Sequence, residues 1–383
     1  MCVNSGFINS VASTILHLLI PKVHVTKTYL PDLQKYTELL RKVWNRNYVT
    51  NNGPLAIELE QRLAQYLGES HLAWMSNGTI ALQIAIDSLN LTGSILTTPF
   101  TYVATANSIL WQKCTPIFVD IEESGFSIDP KKLDNMIAPD TTGILAVHVY
   151  GYPCDVDALA SYADLKGLKL IYDASHTFGC EYRGKALAGY GDLATLSFHA
   201  TKVFHTIEGG GVVSHHKDLA EKIKLSTTHG HKFDDYSQVG TNGKNSELHA
   251  GVGLLNLEGF HNVVLGRKNI FDRYLKAFSH TDLFMLDPSS YRDFKYNYAY
   301  APVLFSSEDE LLKVVEELNQ QNIYPRRYFY PALNTLPYLN PNSCPRAESV
   351  SKRMLCLPLY HDLELESVDT VISVVKKYVL CHA

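Results

Sequence analysis

Between Leu72 and Val213, short apolar segments alternate with stretches of helical character. The segments are Ser94 to Thr97, Thr115 to Val119, Gly143 to His148, Leu168 to Tyr172, Ala194 to Ser197 and Gly211 to Ser214. Parallel strands need long crossovers, usually helical, so this alternation predicts an α/β chain with a mainly parallel sheet wrapped by helices. Glu247 to Leu257 reads as a helix and Val264 to Phe278 as a longer one leading into a second unit. After Asn297 the pattern changes. Tyr298 to Phe305 looks like a strand, Ser307 to Gln320 like a helix opened by a capping box, and Glu366 to Leu380 like a closing helix. With 383 residues the chain can form a large domain, 25–263, and a smaller α+β C-terminal domain, 264–383.

Open sheets of this kind bind ligands outside the carboxyl ends of their strands, so the residues that follow each strand matter most. Leu168-Lys169-Leu170-Ile171-Tyr172-Asp173 is a buried strand ending in a carboxylate. The next strand runs into Ser197-Phe198-His199-Ala200-Thr201-Lys202, closed by Glu208-Gly209-Gly210-Gly211. Asp173 and Lys202 can therefore face one crevice. A lysine among apolar and hydroxyl residues loses its proton more easily, because desolvation disfavours the ammonium. That pairing is what pyridoxal phosphate requires: an amine to form the Schiff base and a carboxylate to keep the ring nitrogen protonated. A surface lysine and a helix-capping aspartate account for the same residue types.

Upstream, Ser76-Asn77-Gly78-Thr79 turns into the apolar run Ile80 to Ile86. Free N–H groups, a hydroxyl and the positive end of a helix make an anion site there, and ordinary N-capping uses the same residues. Composition narrows the alternatives. A hydrophobic share of 46% with 19% charged residues excludes a disordered chain. A net charge of −5 without a basic run argues against nucleic acid as a partner. Seven scattered cysteines with no C-x-x-C spacing indicate neither a metal site nor a disulfide framework, and fit a reducing cytoplasm. Phe7 to Ile20 is mostly apolar but lacks a basic start and is too short to span a bilayer. Residues 1–24 read as an N-terminal extension, or as the product of an upstream start codon.

From about Val25 onward the chain resembles the DegT/DnrJ/EryC1/StrS family of pyridoxal-phosphate-dependent nucleotide-sugar aminotransferases. The landmarks occur in one order: Ser76-Asn77-Gly78-Thr79, Thr98-Pro99-Phe100-Thr101-Tyr102-Val103-Ala104-Thr105, Pro116-Ile117-Phe118-Val119-Asp120 and Val147-His148-Val149-Tyr150-Gly151. They continue with Asp173-Ala174-Ser175-His176, Ser197 to Lys202, and Asn242-Gly243-Lys244-Asn245-Ser246-Glu247. The resemblance implies the type I aminotransferase fold, with Lys202 as the Schiff-base lysine and proton shuttle. It implies Asp173 at the pyridine nitrogen, His176 near the phenolic oxygen, and Gly78, Thr79 and Ser197 around the phosphate. Tyr102 would stack on the ring, and Asn242 would reach the phosphate in a neighbouring subunit, so a homodimer with shared sites is expected.

By the same resemblance the amino donor is glutamate and the acceptor a dTDP-keto-sugar. Val49 to Pro54, Asn242-Gly243-Lys244 and Arg326-Arg327-Tyr328-Phe329-Tyr330-Pro331 resemble the branch that aminates C4 of dTDP-4-dehydro-6-deoxy-D-glucose, for surface polysaccharide. Arg326 or Arg327 could meet the diphosphate, with Tyr328 or Tyr330 against the base or sugar. A domain-interface patch is the other reading of this cluster. The histidine that many relatives place shortly after the proline is absent here. Amination at C3 of a dTDP-3-dehydro-6-deoxyhexose is the neighbouring alternative. A non-catalytic ligand-binding or regulatory relative is opposed by the presence of both Lys202 and Asp173. A sugar 3-dehydratase, with histidine at the lysine position, is opposed by Lys202; His205, three residues later, reads as a supporting or surface residue.

Overall fold

The computed structural model describes residues 22–69, 71–339 and 341–380, so most of the expected extension 1–24 lies outside the described residues. The described chain enters through β1 (Val23–His24). Two helices follow, α1 (Leu33–Arg46) and α2 (Pro54–Leu67), and then the strands and crossovers of a seven-stranded sheet. In chain order these are β2 (His71–Met75), α3 (Gly78–Ser88), β3 (Ser94–Thr97), α4 (Ala104–Trp111), β4 (Thr115–Phe118) and β5 (Thr141–Val147). They continue with α5 (Val156–Lys166), β6 (Lys169–Asp173), β7 (Leu193–Ser197) and β8 (Gly210–Ser214).

The sheet order is β2-β8-β7-β6-β5-β3-β4. Pairing is parallel from β7 through β4, whereas β8 runs antiparallel to both β2 and β7. The sheet is thus mainly parallel, as the alternation requires. Residues of one strand divide between its two faces with a period of two. Leu145 and Val147 of β5 join the core that holds Ala81, Leu82 and Ala85 of α3. Ile144 and Ala146 join the opposite core, with Leu59 and Leu63 of α2 and Leu159 of α5. Because β8 reverses direction, β2 points the same way as the parallel strands. The carboxyl ends of β2, β3, β5, β6 and β7 consequently open on one edge of the sheet.

The helix α6 (Lys217–Ser226) precedes a single helix of 32 residues, α7 (Glu247–Phe278). Two helices were expected here, and the boundary expected after residue 263 falls inside this one. The intervening Glu258-Gly259-Phe260-His261-Asn262 carries break-prone residues, but tertiary packing overrides that local preference. Phe260, Val263 and Arg267 are buried, and the Arg267 guanidinium donates to the carbonyls of Tyr298 (2.8 Å) and Ala299 (2.6 Å). The start of α7 also organises α2. The fully buried Glu247 carboxylate accepts the N–H groups of Leu55 (3.1 Å) and Ala56 (2.8 Å) and pairs with Arg46 at 2.9 Å. It thereby satisfies two of the donors left free at the α2 N-terminus.

Beyond α7, β9 (Ala301–Leu304), α8 (Glu308–Gln320), β10 (Ile323–Tyr324), α9 (Pro345–Arg353), β11 (Met354–Leu357) and α10 (Leu365–Lys376) complete the chain. Ser307 caps α8 by accepting the Glu310 N–H, the first half of the expected capping box. β9 and β11 form an antiparallel pair, and β1 pairs in parallel with β10. Among the described residues no helix is long and apolar enough to cross a membrane.

Candidate active site

A cavity of about 390 Å³ opens at the carboxyl edge of the sheet. Its lining includes Gly78, Thr79, Tyr102, Asp173, His176, Ser197, Lys202, Arg326 and Tyr328, nine of the residues singled out from the sequence. They come from the segments that follow β2, β3, β6 and β7 and from the segment that follows β10, and the topology collects the first four because the strands before them run the same way. The volume is that of an ordinary small-molecule site.

The end of the cavity at the start of α3, the anion site expected from the sequence, is built by close backbone approach. Asn77 caps α3 by accepting the Ile80 N–H at 2.9 Å, which leaves the N–H groups of Gly78 and Thr79 without intrahelical acceptors. Across from them stands Ser197: a Cβ at Gly78 would lie 2.9 Å from the Ser197 Cβ. Behind the turn, a Cβ at Gly210 would lie 2.4 Å from the Asn77 carbonyl. Glycine is required at both places to bring strand, helix start and Ser197 hydroxyl around one small volume.

Asp173 ends β6 and is only 5% exposed. Its Oδ2 accepts the Thr105 hydroxyl at 2.9 Å and its Oδ1 the Ser175 N–H at 3.1 Å, so the carboxylate is held in one orientation. His176 is buried, and its Nδ1 accepts the Tyr150 N–H at 3.2 Å, which places the ring proton on Nε2. Burial, and next the charge of Lys202, drive its pKa well below the ordinary histidine value. His176 is therefore a neutral donor through Nε2. Its ring lies parallel to Phe329 (5.8 Å, 10°) and edge-on to Tyr300 (4.9 Å).

Lys202 follows β7 in a turn closed by its N–H to the His199 carbonyl at 2.9 Å. Burial lowers its pKa from 10.5 to about 8, against the opposing pull of Asp173. The amine is accordingly available as a neutral base and nucleophile in mildly alkaline solution. The loop that bears it is strained: Ile207 has φ +68°, a left-handed conformation that costs a β-branched residue about 1–3 kcal/mol. Ile207 is 41% exposed, so little burial offsets that cost. Ile207→Gly is expected to stabilise the fold by about 1 kcal/mol after the added unfolded-state entropy. The midpoint of urea unfolding measures it, and a lower midpoint would show that the isoleucine side chain makes compensating contacts.

The two adjacent arginines separate. Arg327 pairs with Glu308 at 2.6 Å, donates to the Lys352 carbonyl and stacks on Tyr330 at 3.6 Å. Arg326 lines the cavity with its guanidinium near the Tyr328 ring at 5.6 Å and has no carboxylate partner among the described residues. Arg327 and Tyr330 thus form a patch outside the cavity lining, tied to Glu308 and Lys352 of the C-terminal part. Tyr102 is 60% exposed at the mouth. Asn242 does not line the cavity of its own chain: it accepts from Lys244 Nζ at 3.0 Å, while the adjacent Gly243 carbonyl receives the Ser76 N–H at 2.8 Å. His205 is buried rather than at the surface.

Sequence reasoning assigned no role to Thr105, Tyr300 or Phe329. The i, i+4 spacing of Thr101 and Thr105, whose hydroxyls meet at 3.1 Å, was a usable signal for the first. The two aromatics arrive from the C-terminal third and had none.

Comparisons with known proteins bear on the family and the fold. The model of the DegT/DnrJ/EryC1/StrS aminotransferase family matches residues 32–376. The chain is 37% identical to a dTDP-4-amino-4,6-dideoxy-D-glucose transaminase of Shigella dysenteriae, over 93% of this chain and 98% of that one. It is 36% identical to the enzyme of the same name from Escherichia coli, over 90% and 96%. Among solved structures, DesI in the presence of its TDP-sugar product superposes with a TM-score of 0.88 at 29% identity, covering 94% of this chain and 93% of that one. Helicobacter pylori PseC, an aminotransferase involved in the biosynthesis of pseudoaminic acid, gives 0.85 at 25% identity, covering 94% and 99%. With a family match over nine-tenths of its length and the crevice set out above, this chain belongs to the DegT/DnrJ/EryC1/StrS aminotransferases.

Proposed function

We propose that this aminotransferase carries the amino group of glutamate to C4 of dTDP-4-dehydro-6-deoxy-D-glucose, yielding dTDP-4-amino-4,6-dideoxy-D-glucose for a surface polysaccharide. The observation that carries the reading is the convergence of Lys202, Asp173 and the Gly78–Thr79–Ser197 anion cradle in one cavity, in a chain 36–37% identical to transaminases named for that product.

Pyridoxal 5′-phosphate suits this donor set. The cradle is open only because Gly78 lacks a Cβ, and a buried carboxylate and a neutral imidazole stand beyond it. Gly78, Thr79 and Ser197 would hold the phosphate, Asp173 the ring nitrogen and His176 the phenolic oxygen, with Tyr102 on the ring face. Asn242 of a second copy would complete the phosphate site in a cytoplasmic homodimer. When bound, the cofactor supplies a carbonyl that captures the amine and a ring that acidifies the adjacent C–H.

The chain's own residues then divide the work. Lys202 Nζ would take a proton from the substrate carbon and return it two atoms along, on the far side of the nitrogen, general acid–base chemistry favoured by the lowered pKa of the amine. The Asp173 carboxylate is held at a fixed place, because Thr105 and Ser175 orient it. His176 donates through Nε2 without adding a positive charge. Arg326, which meets no carboxylate among the described residues and lines the cavity, would meet the diphosphate, with Tyr328 beside it. Glutamate and keto-sugar would occupy this one cavity in turn.

Incubation of the holoenzyme with glutamate and each keto-sugar, followed by NMR of the product, tests the assignment. Amination at C4 is the expected result. Product from the 3-keto isomer alone would overturn the C4 reading and leave the aminotransferase in place.

A further inference from the structure

The segment Val23–Leu30 straps the C-terminal part of the molecule to the loop that carries Lys202. At one end β1 pairs with β10, the Val25 carbonyl accepts the Leu359 N–H at 3.0 Å, and Lys27 meets Asp362 at 2.5 Å. At the other end the Thr28 hydroxyl donates to the Ala200 carbonyl at 3.1 Å, two residues before Lys202. Three residues after Lys202, His205 Nε2 meets the Tyr29 carbonyl at 2.7 Å. The lysine is thus bracketed by two attachments to the same strap.

His205 makes the tighter of the two. It is 1% exposed and does not line the cavity. Its Nδ1 accepts the Ile207 N–H at 3.1 Å, so the proton is on Nε2 and is donated to Tyr29. Its own carbonyl accepts Asn256 Nδ2, on α7, at 2.9 Å. One neutral ring therefore ties together the strained end of the lysine loop and the strap, and α7 anchors its backbone.

We propose that His205 is a positioning residue for Lys202, holding the lysine loop against the strap so that the amine stays in its water-poor place. The proposal rests on the reading of Lys202 as the acting amine. Release of the strap bond lets the loop lift and the amine rehydrate, which raises its proton affinity. The charged and titratable groups that line the cavity with Lys202 are Asp173, Glu208, His176, His199, Arg326, Tyr102, Tyr300 and Tyr328, and a change at residue 205 removes none of them.

The test is the pH dependence of kcat for the holoenzyme and its His205→Ala, His205→Gln and His205→Asn variants. Glutamine can present a donor where Nε2 stands, whereas asparagine can present only an acceptor near Nδ1. In the alanine and asparagine variants the acid limb should move to higher pH by about 0.5–1 unit, with kcat about three- to tenfold lower on that side and an unchanged alkaline plateau. His205→Gln should restore the parent limb. Mere loss of folded enzyme would scale the rate equally at every pH. Should the alanine variant not fold, Thr28→Val removes the companion bond without changing shape and should move the limb the same way by a smaller amount. A limb that stays at the parent position in the folded His205 variants, or in Thr28→Val, overturns the proposal. Lys202→Ala separates the two levels: turnover with an unchanged acid limb in that variant overturns the underlying reading of Lys202 instead.

Discussion

Lys202→Ala is expected to lose turnover by at least about 10⁴-fold while keeping its fold, since in the proposed reaction one residue serves as both nucleophile and proton carrier. The substitution removes an amine whose charged form the site disfavours, so no stabilising ion pair is broken. Linkage provides a second observable. The Lys202 pKa is about 8 in the folded chain and 10.5 without the fold's influence, so between those values the unfolded chain binds more protons. The lysine's contribution to stability therefore rises with pH across that window and is absent from the variant. Turnover with glutamate and a keto-sugar, together with unfolding of parent and variant from pH 8 to 10.5, checks both statements. Substantial aminotransfer by the alanine variant would remove Lys202 from its role.

Asp173→Asn should slow the reaction by about 10- to 1,000-fold, because a carboxylate beside a cationic partner is worth about 1–3 pKa units to that partner. Asparagine keeps the Oδ1 acceptor for the Ser175 N–H, and the Thr105 hydroxyl can turn to accept from the new amide. Fold and cofactor retention through the phosphate cradle are expected to survive, leaving the loss in kcat. Retention is measured by absorbance after desalting, and the rate by product formation. A variant that turns over at the parent rate would show that this carboxylate does not hold the ring nitrogen.

Much of the site is legible along the chain because its parts are local. A strand end followed by Asp173, a helix start capped by Asn77 and a lysine in the turn after the next apolar run each follow from a few consecutive residues. The alternation of strands with helices then implies that these strand ends share an edge. Where the reading of the chain differed from the fold, a distant partner was responsible. Glu258 to Asn262 reads as a break between two helices, yet the burial of Phe260 and Val263 and the bonds of Arg267 to Tyr298 and Ala299 carry one helix through it.

The side chains that finish the cavity show the same division. Arg326 and Arg327 are equivalent in sequence context. Glu308, at the start of α8, draws Arg327 aside and leaves Arg326 to the cavity. Thr105 became a support of Asp173 through a bond spanning 68 residues. Phe329 and Tyr300 reach His176 from the C-terminal third, and His205 found its partner in the carbonyl of Tyr29, 176 residues away. Sequence alone determined the sheet, the capped turn at the start of α3 and the placing of Lys202 and Asp173 at one edge, because backbone preference and strand direction act over short stretches. Tertiary structure alone decided which arginine serves the cavity, what orients Asp173 and what holds the lysine loop, because those depend on contacts between segments that packing brings together only in the folded chain.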